Sequence, residues 1–375
     1  MGLTSNKVLL LAVLSALSLF IGTVWLWPRL ARRGWRAVMG RIGLLFGTQL
    51  AIFASVGLAA NQAFGFYASW TDLFGQETEL GVVVDHTDGS GGPLEVVEKR
   101  RVEGAGASPQ TGGQIHKVAV QGRASRIASP ALVYLPPEYF QPQHRTRAFP
   151  AAVVLTGYPG TAQALVDKLH FPRTARDLAK GGRMQPMILV MLRPTVAPPR
   201  DTECVDIPGG PQTETFFAKD LPDAVGSHYR VGKGPGNWGI IGDSTGGYCA
   251  LKLAMHHPEV YAAGAGLSAY YKAPIDATTG DLFQGDKTLR DEADLFWYIK
   301  HRPAPDTSLL VTSSKVGESN YKATLKFIDE VKATGRTRIS SIVLDSGGHN
   351  FNTWRREIPP TLEWISGRLG DPDRK

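Results

Sequence analysis

Short apolar runs of four to seven residues, most of them separated by helical patterns, constrain this chain more than any other feature. Ile115–Gln121 and Ala131–Leu135 read as early strands ahead of a Pro136-Pro137 turn. Ala151–Leu155, Met187–Leu192, Trp238–Ile241, Ala262–Leu267, Ser308–Thr312 and Ile339–Leu344 follow. Runs this short and this apolar suit strands covered on both faces, as in a parallel sheet. Helical patterns fall between or after them at Thr215–Gly226, Thr245–His256, Leu289–Lys300, Asn320–Ala333 and Pro359–Leu369. The βαβ alternation predicts a doubly wound α/β fold with a mostly parallel sheet. In such sheets the functional groups gather at the carboxyl ends of the strands.

The N-terminus follows a different rule. Val8–Trp27 runs 20 residues without a charge, and a second uncharged stretch extends from Ile42 to Ser69. A helix rises 1.5 Å per residue, so each stretch is long enough for a hydrocarbon core of about 30 Å. Between them lie Arg29, Arg32, Arg33, Arg36 and Arg41, whereas Asp72, Glu77 and Glu79 follow the second stretch. This asymmetry predicts a two-helix transmembrane hairpin with its arginine loop in the cytoplasm and both chain ends outside. Trp25, Trp27, Trp35, Tyr67 and Trp70 are candidate interfacial anchors. A cleaved signal peptide at 1–27 is disfavoured because Trp-Leu-Trp-Pro-Arg offers no small-residue site. Cleavage near Ala59-Ala60 and a buried hairpin in a soluble protein stand as rivals.

The predicted organisation is therefore a hairpin over 1–75, with spans at about 8–27 and 42–64, then a connector and a larger α/β domain. The connector covers 76–113 and is punctuated by Asp-Gly-Ser-Gly-Gly-Pro at 88–93 and Gly-Ala-Gly-Ala-Ser-Pro at 104–109. Part of it, around Leu94–Val102, could pair as a strand. The α/β domain occupies 114–375. Net charge is +7, but residues beyond 80 hold 35 Lys/Arg against 31 Asp/Glu, so no concentrated basic face for nucleic acid is expected. No Cys/His pair has zinc-ligand spacing, no structural metal is expected, and His256-His257 reads as a solvated helix end.

Gly242-Asp-Ser-Thr-Gly246 matches G-x-S-x-G. In a chain with 42 glycines the pentapeptide alone is weak, and its context gives it weight. It follows the strand Asn237–Ile241 and opens the helical Gly247–Met255. A nucleophile elbow needs this strand–turn–helix order, because the tight turn exposes the serine hydroxyl. Ser244 is the candidate nucleophile; the bland alternative is a glycine-rich turn with a helix-capping serine.

A serine nucleophile needs a base within hydrogen-bond reach. Asp345-Ser-Gly-Gly-His349-Asn follows the last strand, which puts a loop histidine over the sheet's carboxyl edge. His170, His228 and His301 have no comparable position. The acid should fall between serine and histidine in chain order. Glu318 is the first carboxylate after Ser308–Thr312, with Asp345 and Asp306 as competitors and a helix-capping role as its plainer reading. Two N–H donors are needed for the oxyanion. Thr245, after the nucleophile, should give one; Tyr158 in Thr156-Gly-Tyr-Pro-Gly160 should give the other, since Pro159 has no N–H.

These pieces resemble the putative-esterase family of α/β hydrolases, which holds esterase D-like enzymes, feruloyl esterases and the mycobacterial antigen 85 mycolyltransferases. The likeness covers about residues 115–370 and rests on Val133-Tyr-Leu-Pro-Pro137, Leu155-Thr-Gly-Tyr158, Gly242-Asp-Ser-Thr-Gly246 and Gly348-His-Asn-Phe-Asn-Thr-Trp354. A hairpin ahead of such a domain looks like membrane-anchored esterases of high-GC actinobacteria. The resemblance implies acyl transfer through a Ser–acid–His triad without metal or organic cofactor. It departs at Thr156, where the family often has Asp or His, which bears on the substrate. The expectation is an extracytoplasmic serine esterase or acyltransferase at the cell membrane, acting on carboxyl esters of lipid or cell-envelope type. A peptidase using the same triad and a non-catalytic envelope receptor are the other readings. Cys204 and Cys249 are either a disulfide pinning a loop beside the elbow or two unlinked thiols. Residues 271–306 are either a cap over the site or a surface excursion.

Overall fold

The computed structural model describes residues 6–31, 34–64, 92–102, 104, 108–198 and 200–370. Arg32, Arg33, Tyr67, Trp70, Asp72, Glu77 and Glu79, used above for topology and anchoring, lie outside the described residues. The chain divides into two compact units, Met1–Leu80 and Gly81–Lys375.

The first unit is a pair of long helices, α1 (Asn6–Leu30) and α2 (Trp35–Phe64). Within them, Lys7–Leu30 and Trp35–Asn61 are long and apolar enough to cross a membrane. Thr23 Oγ1 meets Thr48 Oγ1 at 3.1 Å, and Leu30 packs on Gly40, so the helices run antiparallel as a hairpin. Each of these two threonines also donates back to the carbonyl four residues earlier, which satisfies its hydroxyl without water. Leu14, Leu17, Phe20, Ile21, Phe46 and Phe53 stand exposed on the outside of the pair. An apolar exterior around a polar seam is the reverse of a water-soluble hairpin.

The second unit is built on a nine-stranded sheet in the order β1-β2-β3-β5-β4-β6-β7-β8-β9. The strands are β1 (Leu94–Arg101), β2 (Gln114–Gln121), β3 (Ala128–Leu135), β4 (Ala151–Leu155) and β5 (Ile188–Leu192), followed by β6 (Trp238–Asp243), β7 (Ala263–Leu267), β8 (Ser308–Val316) and β9 (Arg338–Ser346). β1, β2, β3 and β5 pair antiparallel in turn, and every pairing from β5 through β9 is parallel. β1 arises within the stretch read as a connector and forms the sheet's edge. Its Leu94-Glu-Val-Val-Glu-Lys-Arg-Arg sequence carries the charges an exposed edge strand tolerates.

Alternation along the strands splits the core in two. Val153, Val190 and Ile240 face a cluster that includes Tyr248 and Leu251 of α5 (Thr245–His256) and Phe327 of α7 (Tyr321–Ala333). Val154, Met191 and Ile241 face Phe171 and Leu178 of α3 (Phe171–Lys180) and Trp354 and Leu362 of α8 (Phe351–Ser366). This is the doubly wound, mostly parallel α/β fold that the alternation of apolar runs predicts.

Three helices differ from the sequence reading. The pattern at Thr215–Gly226 resolves into a π-type turn, Phe216–Asp220, leading into α4 (Leu221–His228). The single helix expected over Leu289–Lys300 is two, Lys287–Glu292 and α6 (Leu295–His301), because Asp294 caps the second by accepting the Phe296 and Trp297 N–H groups. The last helix begins at Phe351 rather than Pro359, capped by Asn350, and runs through Pro359 and Pro360. Residues 271–306 pack into the core through Tyr271, Leu282, Phe283, Leu295 and Ile299.

Candidate active site

Chain order reverses between β4 and β6: β5 lies on one side of β4 and β6 on the other. A crevice opens at such a point, beyond the strands' carboxyl ends. The loop after β4 and the turn after β6 meet there, and the two sequence motifs singled out above occupy them.

Ser244 has φ 54° and ψ −119°, a conformation that L-residues resist and that costs on the order of 1–3 kcal/mol. The surroundings hold it. Its N–H donates to Leu267 O at 2.9 Å, and α5 starts at the next residue. The crossing of chains leaves no room for side chains: a Cβ on Gly246 would lie 2.5 Å from Thr156 O, and one on Gly242 would lie 2.1 Å from Gly246 O. Gly157 faces Ser244 Cβ, which would be 3.0 Å from a Cβ placed there.

His349 Nε2 lies 2.8 Å from Ser244 Oγ. Its Nδ1 is 3.6 Å from Glu318 Oε2, an ion-pair approach longer than a hydrogen bond. The Glu318 side chain is 2% exposed and the His349 side chain 48%, so a sheltered carboxylate backs a histidine open to substrate. Of the competing acids, Asp345 is a solvent-facing partner of Lys315 at 2.8 Å, and Asp306 pairs with Arg338 at 3.3 Å. Glu318 is thus the carboxylate that the structure brings to His349.

Thr245 is the first residue of α5, where N–H groups lack intrahelical partners and the helix dipole favours negative charge. Tyr158 precedes a cis peptide bond to Pro159 in the tight turn closed by Gly160 N–H on Gly157 O at 2.8 Å. The Gly157 N–H is directed away, onto Asp243 Oδ2 at 2.8 Å. Burial pushes the Asp243 carboxyl up to about 7, against the opposing pull of that N–H and of the neighbouring His349.

Several site groups were not legible in the sequence. Ser268, just past β7, donates to Glu318 Oε1 at 2.6 Å and receives the Trp354 indole N–H at 2.9 Å. Trp354 also sets its ring edge-on to His349 at 5.2 Å. Beneath them Thr312 donates to the buried Glu357 at 2.8 Å. On the other flank, Tyr270 donates to both Glu203 carboxylate oxygens at 2.7 and 2.6 Å. Only the trailing Trp354 belonged to a recognisable motif; the rest are single polar residues that the topology assembles.

Cys204 and Cys249 form a disulfide with Cα atoms 5.7 Å apart, joining the loop after β5 to α5. Lys252 tightens the same junction by donating to Cys204 O at 2.8 Å. His256 and His257 differ from the solvated helix end expected of them: both bond Glu214 Oε1, at 3.0 and 2.9 Å, in the same buried junction. Among the described residues, no group of three or more His, Cys, Asp or Glu side chains could hold a metal ion.

Comparison with known proteins gives this geometry a family. Residues 128–365 match the family model described as Putative esterase. An uncharacterized protein of Corynebacterium glutamicum is 25% identical over 252 residues, a match spanning 65% of this chain and 58% of that relative's length. Among solved structures, a ferulic acid esterase superposes with a TM-score of 0.58 at 18% identity, covering 68% of this chain and 98% of the other. An S-formylglutathione hydrolase from Agrobacterium tumefaciens gives 0.56 at 16% identity, covering 72% and 100%. A fluorophosphonate-binding serine hydrolase of Staphylococcus aureus gives 0.55 at 16%, covering 68% and 98%. At such identities the superpositions speak for the fold, and the family match speaks for the chemistry. The chain belongs to the Putative esterase family, and its larger unit is a carboxyl-ester hydrolase of the α/β-hydrolase fold.

Proposed function

We propose that the whole protein is a membrane-anchored, extracytoplasmic serine esterase or acyltransferase working through Ser244, His349 and Glu318. The observation that carries this reading is the 2.8 Å approach of His349 Nε2 to a serine hydroxyl held at a strained strand-to-helix turn. His349 takes the hydroxyl proton as Ser244 attacks the ester carbonyl. Glu318 keeps the imidazole tautomer in place and balances the positive charge that forms. The Thr245 and Tyr158 amides receive the oxyanion. Collapse expels the alcohol, protonated by His349, and leaves an acyl-enzyme on Ser244. Water or a second alcohol then attacks that acyl group with His349 again as base.

The hairpin supports a membrane address: two helices long enough to span, with apolar side chains outward. Arg29, Arg36 and Arg41 flank the turn between them and favour the cytoplasmic side. The catalytic unit then works outside, where the Cys204–Cys249 disulfide persists. Tethering next to the bilayer favours esters of lipid or envelope character.

The test uses the full chain in detergent with a graded series of acyl esters, with water alone or with added alcohols as acceptors. Turnover that vanishes in Ser244→Ala, together with retention of the chain in membranes after alkaline extraction, supports the proposal. Turnover undiminished in Ser244→Ala, or release into the alkaline supernatant, overturns the catalytic or the membrane half respectively.

A further inference from the structure

Leu267, the last residue of β7, and the three residues after it touch the nucleophile's backbone and the acid. Leu267 O accepts the N–H of the strained Ser244 at 2.9 Å. Ser268, 2% exposed and at φ 49°, donates to Glu318 Oε1 at 2.6 Å and accepts from Trp354 Nε1 at 2.9 Å. Ala269 O accepts from the Asn320 side chain at 2.9 Å, which ties the segment to the start of α7 two residues after Glu318. Tyr270 donates to both carboxylate oxygens of Glu203. Its ring stacks at 5.1 Å on Tyr248 of α5.

We infer that Leu267–Tyr270 is a positioning strap in which Ser268 sets the acid, Glu318, and Tyr270 anchors the segment on Glu203. This inference rests on the catalytic reading above. The physical case is one of competing freedoms. Glu318 Oε2 approaches His349 no closer than 3.6 Å, so that contact alone does not fix the carboxylate. The Ser268 hydroxyl holds the other oxygen at 2.6 Å, and the indole N–H leaves Ser268 one orientation in which to donate. With Oε1 held, Oε2 faces Nδ1.

On the opposite flank the phenol has an anchor of its own. Glu203 is 1% exposed, and the adjoining Cys204 is bridged to Cys249. The Tyr270 phenol is therefore held beside a loop that is covalently tied to α5. Trp354 and Glu203 belong to different elements, α8 and the loop after β5, so the strap is braced from both faces of the sheet.

The strap predicts a signature that a general loss of structure would not produce. Ser268→Ala removes the hydrogen bond that holds Glu318 Oε1 and frees the carboxylate, so kcat falls about tenfold with KM kept. Ser268→Thr, which keeps a hydroxyl, restores kcat.

The assay is ester turnover by the full chain in detergent across pH, beside mass-spectrometric detection of fluorophosphonate on Ser244. If wild type labels at Ser244 while Ser268→Ala keeps the wild-type kcat, the strap is overturned and the catalytic reading stands. If folded wild type does not label at Ser244, the catalytic reading fails and the strap falls with it.

Discussion

Glu357 offers a quantitative test of the electrostatics under the site. The side chain is fully buried on α8, with Oε2 accepting from Thr312 at 2.8 Å and Oε1 without a partner. Burial, with the nearby Glu318 charge adding to it, pushes its carboxyl from 4.5 up to about 8. The unfolded chain therefore releases this proton near pH 4.5 and the folded protein near pH 8. Between those values the folded state holds one more proton, so raising pH favours unfolding by about 1.4 kcal/mol per unit. Across the whole interval the loss has an upper bound of about 5 kcal/mol, at about 1.4 kcal/mol per pKa unit. Stability attributable to this group is complete below pH 4.5 and lost as pH passes about 8.

Glu357→Gln keeps the acceptor for Thr312 and cannot ionise. The assay is urea unfolding of the full chain in detergent from pH 5 to 9, wild type beside variant. Asp201, Glu203 and Asp243 are raised as well, to about 6, 9 and 7, so wild type should lose stability over the same range for several reasons. The difference between the two proteins isolates Glu357. It should be small near pH 5 and favour the variant by a few kcal/mol at pH 9. Parallel curves for the two proteins would refute the argument that Glu357 is buried as the neutral acid.

Gly246→Ala should reduce ester turnover at least a hundredfold, because its Cβ would lie 2.5 Å from Thr156 O and force the oxyanion loop off Ser244. Turnover within a few-fold of wild type would show that the loop yields at no cost. Reducing the Cys204–Cys249 bridge, or making Cys204→Ser, should destabilise the larger unit by about 2–4 kcal/mol, read as a lower melting temperature. No shift on reduction would mean that Lys252 and the Glu214 junction hold the loop unaided.

The sheet was legible wherever burial on both faces left an unbroken apolar run. Ala151–Leu155 is the same five residues in sequence and structure, and Ser308–Thr312 is the first part of a longer strand whose buried but polar Ser313 and Ser314 and exposed Lys315 and Val316 lost the signal. β1 was nearly hidden because its charges suit an edge. The last helix was misread for a local reason: Pro359 and Pro360 resemble a helix start, while the true cap is Asn350, nine residues before Pro359. α3 went unread although Phe171, Ala175 and Leu178 carry its buried stripe. In the site, Ser244 and His349 announce themselves through a turn that needs glycines. Ser268, Tyr270 and Glu203 obey no spacing rule, since their meeting is a property of strand order rather than of neighbouring residues.

The most direct measurement is fluorophosphonate labelling of the full chain in detergent, read by mass spectrometry for wild type, Ser244→Ala and His349→Ala. The account predicts one adduct on wild type, located at Ser244, none on Ser244→Ala, and labelling of His349→Ala slowed at least a hundredfold. A folded wild-type protein that takes no label, or Ser244→Ala labelling at the wild-type rate, would contradict it.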